Sequence, residues 1–322
     1  MNPSCSQGNR DLLPNRPSPP NGDEEGNYDV AGLGTILVDQ QVFLDTYPAL
    51  DTKTEVTSYR FQVGGPVPTA LVLLSRFGKT CQFAGRWGKD TFGELIESDL
   101  RRERVHFDDA SCARADSTGF AQVWVDRATA SRTIAFARSR TEIDATEIDE
   151  RRYSRCRLLH LDGWSSGAAI KAAERVKQNG GHVFLDAGSP KPGLSDLLPL
   201  VDIVNAPERF ASLYFATKNT DEAARRLLEL GVKTVIFTHG TGGAVLYNSA
   251  GRIEQPAFPV AAVDTTGAGD VFCGGFLYAL LESWTPGDSL KFAAATAALK
   301  CKQIGNREAL PTLGDVMDLM NR

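Results

Sequence analysis

Asp264-Thr265-Thr266-Gly267-Ala268-Gly269-Asp270 stands between an extended apolar stretch and a helix, and its reading decides the fold. Upstream, Phe258-Pro259-Val260-Ala261-Ala262-Val263 reads as the end of a strand. Downstream, Val271, Phe272, Phe276, Leu277, Leu280 and Leu281 recur at helical spacing, which predicts a helix beginning near Ala268. A glycine-flanked helix start gathers backbone N–H groups and the positive end of the helix dipole at one point, which suits an anionic oxygen or a phosphate. Asp270 falls in the first turn, where the dipole favours its ionised form. A carboxylate beside such a hole can take a proton from a hydroxyl while the hole stabilises charge on a transferring phosphoryl group. A capped turn without chemistry has the same local sequence, so the rest of the chain decides between them.

Working outward, Tyr28-Asp29-Val30-Ala31-Gly32-Leu33-Gly34 reads as a short strand entering a glycine turn. Val42-Phe43-Leu44 and Glu55 to Phe61 read as strands split by a polar turn. A helix over about 67–77 is stopped by Gly78, and an acidic amphipathic helix runs over about 91–104. Gly119 to Val125 and Arg132 to Arg138 form another strand pair. Later the rhythm is steady: strands at Leu158 to Asp162, Val183 to Asp186 and Val232 to Thr238 alternate with helices at Ala168 to Gln178 and from Thr220 to Gly231. That alternation predicts an α/β fold, a mainly parallel doubly wound sheet covered by helices on both faces. The strands within 40–63 and 117–138 break the rhythm and are expected to form a small β-sheet lid. Residues 1–26 hold five prolines among Asn, Ser, Gly and acidic residues, so a disordered tail is expected ahead of a single domain over 27–322.

These elements carry motifs in a recognisable order. Gly64-Gly65 precedes an apolar helix and then Gly78, Gly85, Gly88, Asp90, Gly93 and Glu94. Asn205-Ala206-Pro207-Glu208 and Thr238-His239-Gly240-Thr241-Gly242-Gly243 follow, ahead of the Gly267-Ala268-Gly269-Asp270 turn. After Asn27 the sequence therefore resembles the ribokinase, or pfkB, family of carbohydrate kinases. The resemblance implies ATP-dependent phosphorylation of a hydroxyl of a sugar or sugar acid, with Asp270 as general base and Gly267, Ala268 and Gly269 as the anion hole. It implies that Gly32 to Asp39 is the opening strand, ending in a substrate-binding Asp39, with Gly64 and Gly65 also at the substrate. It further implies that Asn205 and Glu208 hold waters around Mg²⁺, that Thr238, Gly240 and Gly243 wrap the nucleotide, and that Asp264 and Thr266 offer oxygens to a monovalent cation such as K⁺. Lid-to-lid pairing into a homodimer is implied as well. One departure stands out: where most members carry a sugar-binding Asn, this chain has Thr69, and Pro66 stands where ribokinase-like members carry Lys. The fold and phosphoryl chemistry survive this, and ribose itself becomes a less apt substrate.

Arg132-Thr133-Ile134-Ala135-Phe136-Ala137-Arg138 places Arg132, Ile134, Phe136 and Arg138 on one lid face. If Arg138 faces the cleft, its guanidinium fork favours a substrate bearing a carboxylate, phosphate or sulfonate. On the next strand Phe120 and Trp124 share one face while Ala121, Val123 and Val125 share the other, so an apolar outer face is expected to join two copies.

Competing signals are weaker. Gly32-x-Gly34 lacks the third glycine of a dinucleotide fingerprint, with Leu37 there, and Gly78-Lys79-Thr80 lacks the first glycine of a P-loop, with Leu73 there. Gly163-Trp164-Ser165-Ser166-Gly167 matches a nucleophile elbow between strand and helix, so a serine hydrolase using Ser165 with His182 or His239 is the alternative from another class. A nucleoside kinase is the alternative within the same fold. A formal charge of −5 gives no basic footprint for nucleic acid, and no apolar run is long enough to cross a membrane. The six scattered cysteines form no Cys-x-x-Cys pair, and a reducing cytoplasmic setting is expected.

Overall fold

The computed structural model describes residues 27–56, 58–108, 115–129 and 131–321. The tail expectation for residues 1–26 lies outside them. The strands of the main sheet are β1 (Val30–Leu33), β4 (Cys81–Ala84), β5 (Val105–His106), β8 (Leu158–Leu161), β9 (His182–Asp186), β10 (Ile203–Pro207), β11 (Thr234–Thr238), β12 (Ala244–Asn248) and β13 (Gly251–Gln255). Their order across the sheet is β13-β12-β11-β10-β9-β8-β1-β4-β5, parallel throughout except at β12 and β13. Strands β8 to β11 are almost wholly buried, as strands covered on both faces must be, and this is why apolar residues dominate them. Helices Pro66–Arg76, Ala268–Leu281 and Pro286–Lys300 pack on one face of the sheet; Ser166–Gln178 and Thr220–Glu229 pack on the other.

Strand β1 pairs with β4 on one side and with β8 on the other. The chain winds outward in both directions from that junction, which makes the carboxyl ends of β1 and β8 the topological switch point where such sheets open a crevice. There Gly34 and Thr35 leave β1, and Asp162 leaves β8 to accept the Thr35 N–H at 2.7 Å.

A separate sheet of order β3-β2-β6-β7 joins β2 (Leu37–Leu44), β3 (Ser58–Gly64), β6 (Gly119–Asp126) and β7 (Arg132–Ala137). Asp39, Gln41 and Phe43 pair in register with Ala121, Val123 and Val125, which pair with Phe136, Ile134 and Arg132. In-register residues share a face. That face looks toward the main domain, because Gln41 donates to Asp264 at 3.3 Å and Arg132 to Thr265 at 2.9 Å. The other face carries Tyr59 and Phe61, 63% and 45% exposed, beside half-buried Phe120 and Trp124. Phe92 covers part of it, its ring stacked on Phe120 at 5.5 Å.

Several boundaries differ from the sequence expectation. The residues before the glycine turn are not a strand: β13 ends at Gln255, and Pro256 and Pro259 keep the following stretch irregular. Glu55 and Val56 precede β3, which begins at Ser58. Asn219, not Thr220, caps its helix, accepting from Asp221 and Glu222. Most consequential, Asp39 does not end the opening strand. The chain breaks at Gly34 to Ile36, and Asp39 lies inside lid strand β2.

Candidate active site

The helix Ala268–Leu281 starts as the glycine turn requires, from Gly267 at φ 75°. Its first-turn N–H groups precede the i→i−4 ladder and face the crevice. Among Gly267, Ala268 and Gly269, the Ala268 N–H makes a turn bond to the Thr265 carbonyl at 3.3 Å. Asp270 is half-buried one turn along. Burial raises its pKa, while the charges of Arg132, Lys300 and Arg307 pull it back down.

A carbon placed on Gly267 would lie 3.4 Å from Asn306 Oδ1, 3.7 Å from Asp270 Oδ2 and 4.0 Å from the Thr69 methyl. This single point therefore meets a carboxylate of the same turn and side chains from two distant segments. Asp39 joins them by accepting from Asn306 Nδ2 at 3.2 Å. Its carboxyl is pushed up to about 6 by burial, with the Asn306 hydrogen bond opposing and the Asp270 charge adding. Gly64 is needed because a Cβ there would sit 2.5 Å from Asp39 Oδ2, and Gly65 because its φ is +124° and a side chain would run into the Thr35 carbonyl. Beside Thr69 lies Arg307, which no sequence motif marked; its Nη1 reaches the Thr69 hydroxyl at 3.4 Å while Asp99 grips its Nε at 3.0 Å.

The candidate nucleotide side lies at the carboxyl ends of β9, β10 and β11. Asn205 is buried; its Nδ2 donates to Cys273 Sγ at 3.2 Å, and its Oδ1 has no hydrogen-bond partner. Glu208 is exposed and caps no helix with its side chain; instead His239 Nδ1 lies 3.1 Å from its carboxylate. The Thr238 carbonyl accepts the Glu208 N–H at 3.0 Å, which holds the two segments together. Gly240 and Gly243 frame a tight turn closed by the His239 N–H to the Gly243 carbonyl at 2.8 Å. Asp186, ending β9, escaped sequence reasoning although its place at a parallel-strand terminus was the available signal. Its carboxyl is pushed up to about 7 by burial and by the charges of Asp270 and Asp162.

Arg138 lies just beyond β7. Its guanidinium sits 3.7 Å over the Trp164 ring and 3.6 Å from Glu142, and it lines a cavity at the switch point with Gly34, Thr35 and Ile36. Lys191 approaches the same indole at 5.0 Å. Ser165 has the left-handed backbone of an elbow, φ 52°, but its hydroxyl accepts the Ile143 N–H at 3.2 Å. His182 pairs with Asp202 and His239 with Glu208, so the serine hydrolase arrangement is not formed.

Asp264 is buried, and although burial works against its charge, Lys300 and the N–H groups of Thr266 and Gly305 hold its pKa below the ordinary value. Its carbonyl accepts from Lys300 Nζ at 3.0 Å, and its Oδ2 lies 3.5 Å from the same ammonium. The residues present do not fit a dissociable monovalent cation on Asp264, because a lysine ammonium already lies on its oxygens.

Comparison with known proteins gives the chain a family and a fold. The family model for pfkB family carbohydrate kinases matches residues 29–313. The 5-dehydro-2-deoxygluconokinase of Clostridium perfringens is 26% identical over 324 residues, covering 93% of this chain and 95% of that protein. Arabidopsis thaliana ribokinase, solved with ribose and ATP, superposes with a TM-score of 0.79 at 25% identity, covering 92% of this chain and 99% of the other. An Escherichia coli protein described as a putative ribokinase II, solved with ATP and Mg²⁺, gives 0.77 at 24% identity, covering 91% and 99%.

Proposed function

This chain belongs to the pfkB family of carbohydrate kinases, and from that premise we propose that it transfers the γ-phosphoryl group of ATP to a hydroxyl of a sugar or sugar acid, with Asp270 as general base. The observation that carries this reading is the convergence of Asp39, Thr69, Asn306 and Asp270 on the start of the Ala268–Leu281 helix. Asp39 and Asn306 orient the acceptor. Asp270 takes its proton, and the first-turn N–H groups with the helix dipole receive the charge of the transferring group. Asn306, Asp270 and Asp39 gather at the helix start, a polar set that suits the hydroxyls of a sugar.

The nucleotide side fits Mg²⁺. Asn205 Oδ1 is a buried acceptor without a partner, and exposed Glu208 follows three residues later, a sparse donor set suited to an ion that keeps several waters. Bound there, the ion supplies charge neutralisation between the phosphates. The charge of Asp270 helps raise the pKa of buried Asp186, and a cation nearby would relieve that repulsion. Thr238, Gly240 and Gly243 border the nucleotide, and His239 steadies Glu208.

The acceptor carries an anionic group read by Arg138. A clostridial relative named for a sugar-acid substrate, and the replacement of the usual Asn by Thr69, support this. An ATP-coupled screen over ketoses, aldoses, sugar acids, sugar phosphates and nucleosides tests the whole reading. A sugar acid is expected to be best, and Arg138→Ala to raise its KM by about 30- to 100-fold through loss of a charge-assisted hydrogen bond. A neutral sugar as best substrate, with Arg138→Ala harmless, would end the sugar-acid assignment.

Asp39 predicts a pH dependence. With its pKa raised to about 6, the ionised form that accepts two sugar hydroxyls dominates only above that pH. The acceptor KM should therefore climb as pH falls below 6, by roughly tenfold per unit once Asp39 is mostly protonated. A KM unchanged between pH 7 and 5 would remove Asp39 from acceptor binding.

The outer lid face, with Tyr59 and Phe61 exposed beside Trp124, is proposed to bury itself against a second copy. Light scattering at micromolar concentration should give a mass near twice the 34.9 kDa of the chain, and Phe61→Glu should halve it. A mass of one chain, unchanged by ATP and substrate, would show that the lid works alone.

A further inference from the structure

Behind the glycine turn lies a buried lysine, whose pKa burial lowers while the Asp264 carboxylate acts to hold its charge. Lys300 is the last residue of the helix Pro286–Lys300, and its side chain is 0% exposed. Its Nζ donates to the Asp264 carbonyl at 3.0 Å and stands 3.5 Å from Asp264 Oδ2. That carboxylate is further tied by the Thr266 N–H at 2.9 Å, the Gly305 N–H at 3.2 Å and Gln41 Nε2 at 3.3 Å. The N–H groups of Val263 and Asp264 donate to the Cys301 carbonyl at 2.8 and 3.3 Å, stapling the end of the Lys300 helix to the start of the turn. A cation is therefore clamped directly under the residues that form the anion hole.

We infer that the Lys300 ammonium is a built-in cation, replacing a dissociable monovalent ion, and that this kinase works independently of K⁺; the inference rests on the phosphotransfer reading above. The ammonium carries the charge of such an ion and sits on the carbonyl and carboxylate oxygens that would coordinate one. A second cation placed on the same oxygens meets strong repulsion in a buried setting. The Thr266 hydroxyl, buried and without a partner, is the one oxygen of the pair left over, and a lone hydroxyl beside an ammonium does not hold a metal ion. Lys300 acts as a positioning residue: it neutralises Asp264, fixes the turn, and adds a positive potential felt by Asp270.

The test compares the purified full-length chain in tetramethylammonium, sodium and potassium chloride at equal ionic strength. Turnover should vary by less than about twofold among the three salts, and the rise in melting temperature caused by MgATP should be the same in each. Lys300→Ala should lose about 100-fold or more in kcat in tetramethylammonium and recover part of it on adding K⁺, ammonium or methylammonium. A wild-type rate or MgATP thermal shift that depends on K⁺ overturns the inference, and this arm stands even where the variant does not fold. The thermal-shift arm needs no acceptor. A failed acceptor screen would thus count against the phosphotransfer reading and leave the cation result legible.

Discussion

Asp270→Asn is expected to bind MgATP as the wild type does and to turn over its acceptor about 10²- to 10⁴-fold more slowly, a loss of roughly 3–5 kcal/mol in transition-state stabilisation. The amide keeps the shape and the first-turn position but cannot take the proton of the acceptor hydroxyl. Its neighbours offer no substitute. Asp186 closes β9 beside Asn205, and Asp162 is spent on the Thr35 and Trp164 N–H groups at 2.7 and 3.0 Å. Burial outweighs the attraction of Arg132, Lys300 and Arg307 on the Asp270 charge, so a neutral amide there should fold at least as stably as the parent. Nucleotide affinity by calorimetry with coupled turnover separates binding from chemistry. Turnover within about threefold of wild type would take Asp270 out of the mechanism.

The parts of this site that could be read from sequence are the local ones. Gly267 to Asp270 carries its own geometry in consecutive residues, as do Gly64-Gly65 and the Thr238 to Gly243 turn. Strands β8, β9 and β11 were legible because burial on both faces leaves an apolar stretch with sharp ends, whereas β10, interrupted by Asn205, was not read as a strand. Asp39 was assigned to the wrong sheet because nothing in the apolar pattern marks the change of direction at Gly34 to Ile36. Period-two alternation sets which residues share a face but not where a strand begins, which is why β3 starts later than expected. Asn306, Arg307 and Lys300 were missed for another reason. They act through tertiary contacts, with Asn306 reaching Asp39 across 267 residues of chain, and each has an ordinary local setting near a helix end. A buried lysine can be recognised only once its surroundings are known.

Arg132 makes the same point, and its removal should have the second-largest effect. The alternation of β7 put it on the cleft face together with Ile134 and Phe136, yet no local feature distinguished it from any other lid arginine. In the structure its Nη1 donates to the Thr265 hydroxyl at 2.9 Å, inside the glycine-turn motif, and its charge lowers the pKa of Asp270. It is therefore a cation carried by the lid and delivered to the helix start where phosphoryl charge would develop. If Arg132 serves the reaction, it would stabilise charge only with the lid in this position, which would link acceptor capture to phosphoryl transfer and hold back hydrolysis of ATP by water. Arg132→Ala should lower kcat by about 10²- to 10³-fold with a much smaller change in the affinity for MgATP, the pattern of an interaction made mainly in the transition state. Arg132→Lys should recover only part of this, because an ammonium keeps the charge but not the planar fork. The competing account is that Arg132 merely latches the lid through Thr265. Thr265→Ala separates the two: it removes the latch and leaves the guanidinium free to meet phosphate. If Thr265→Ala matches Arg132→Ala in kcat, the arginine is a latch and the transition-state role fails; if only Arg132→Ala loses turnover, the lid supplies a charge to the reaction.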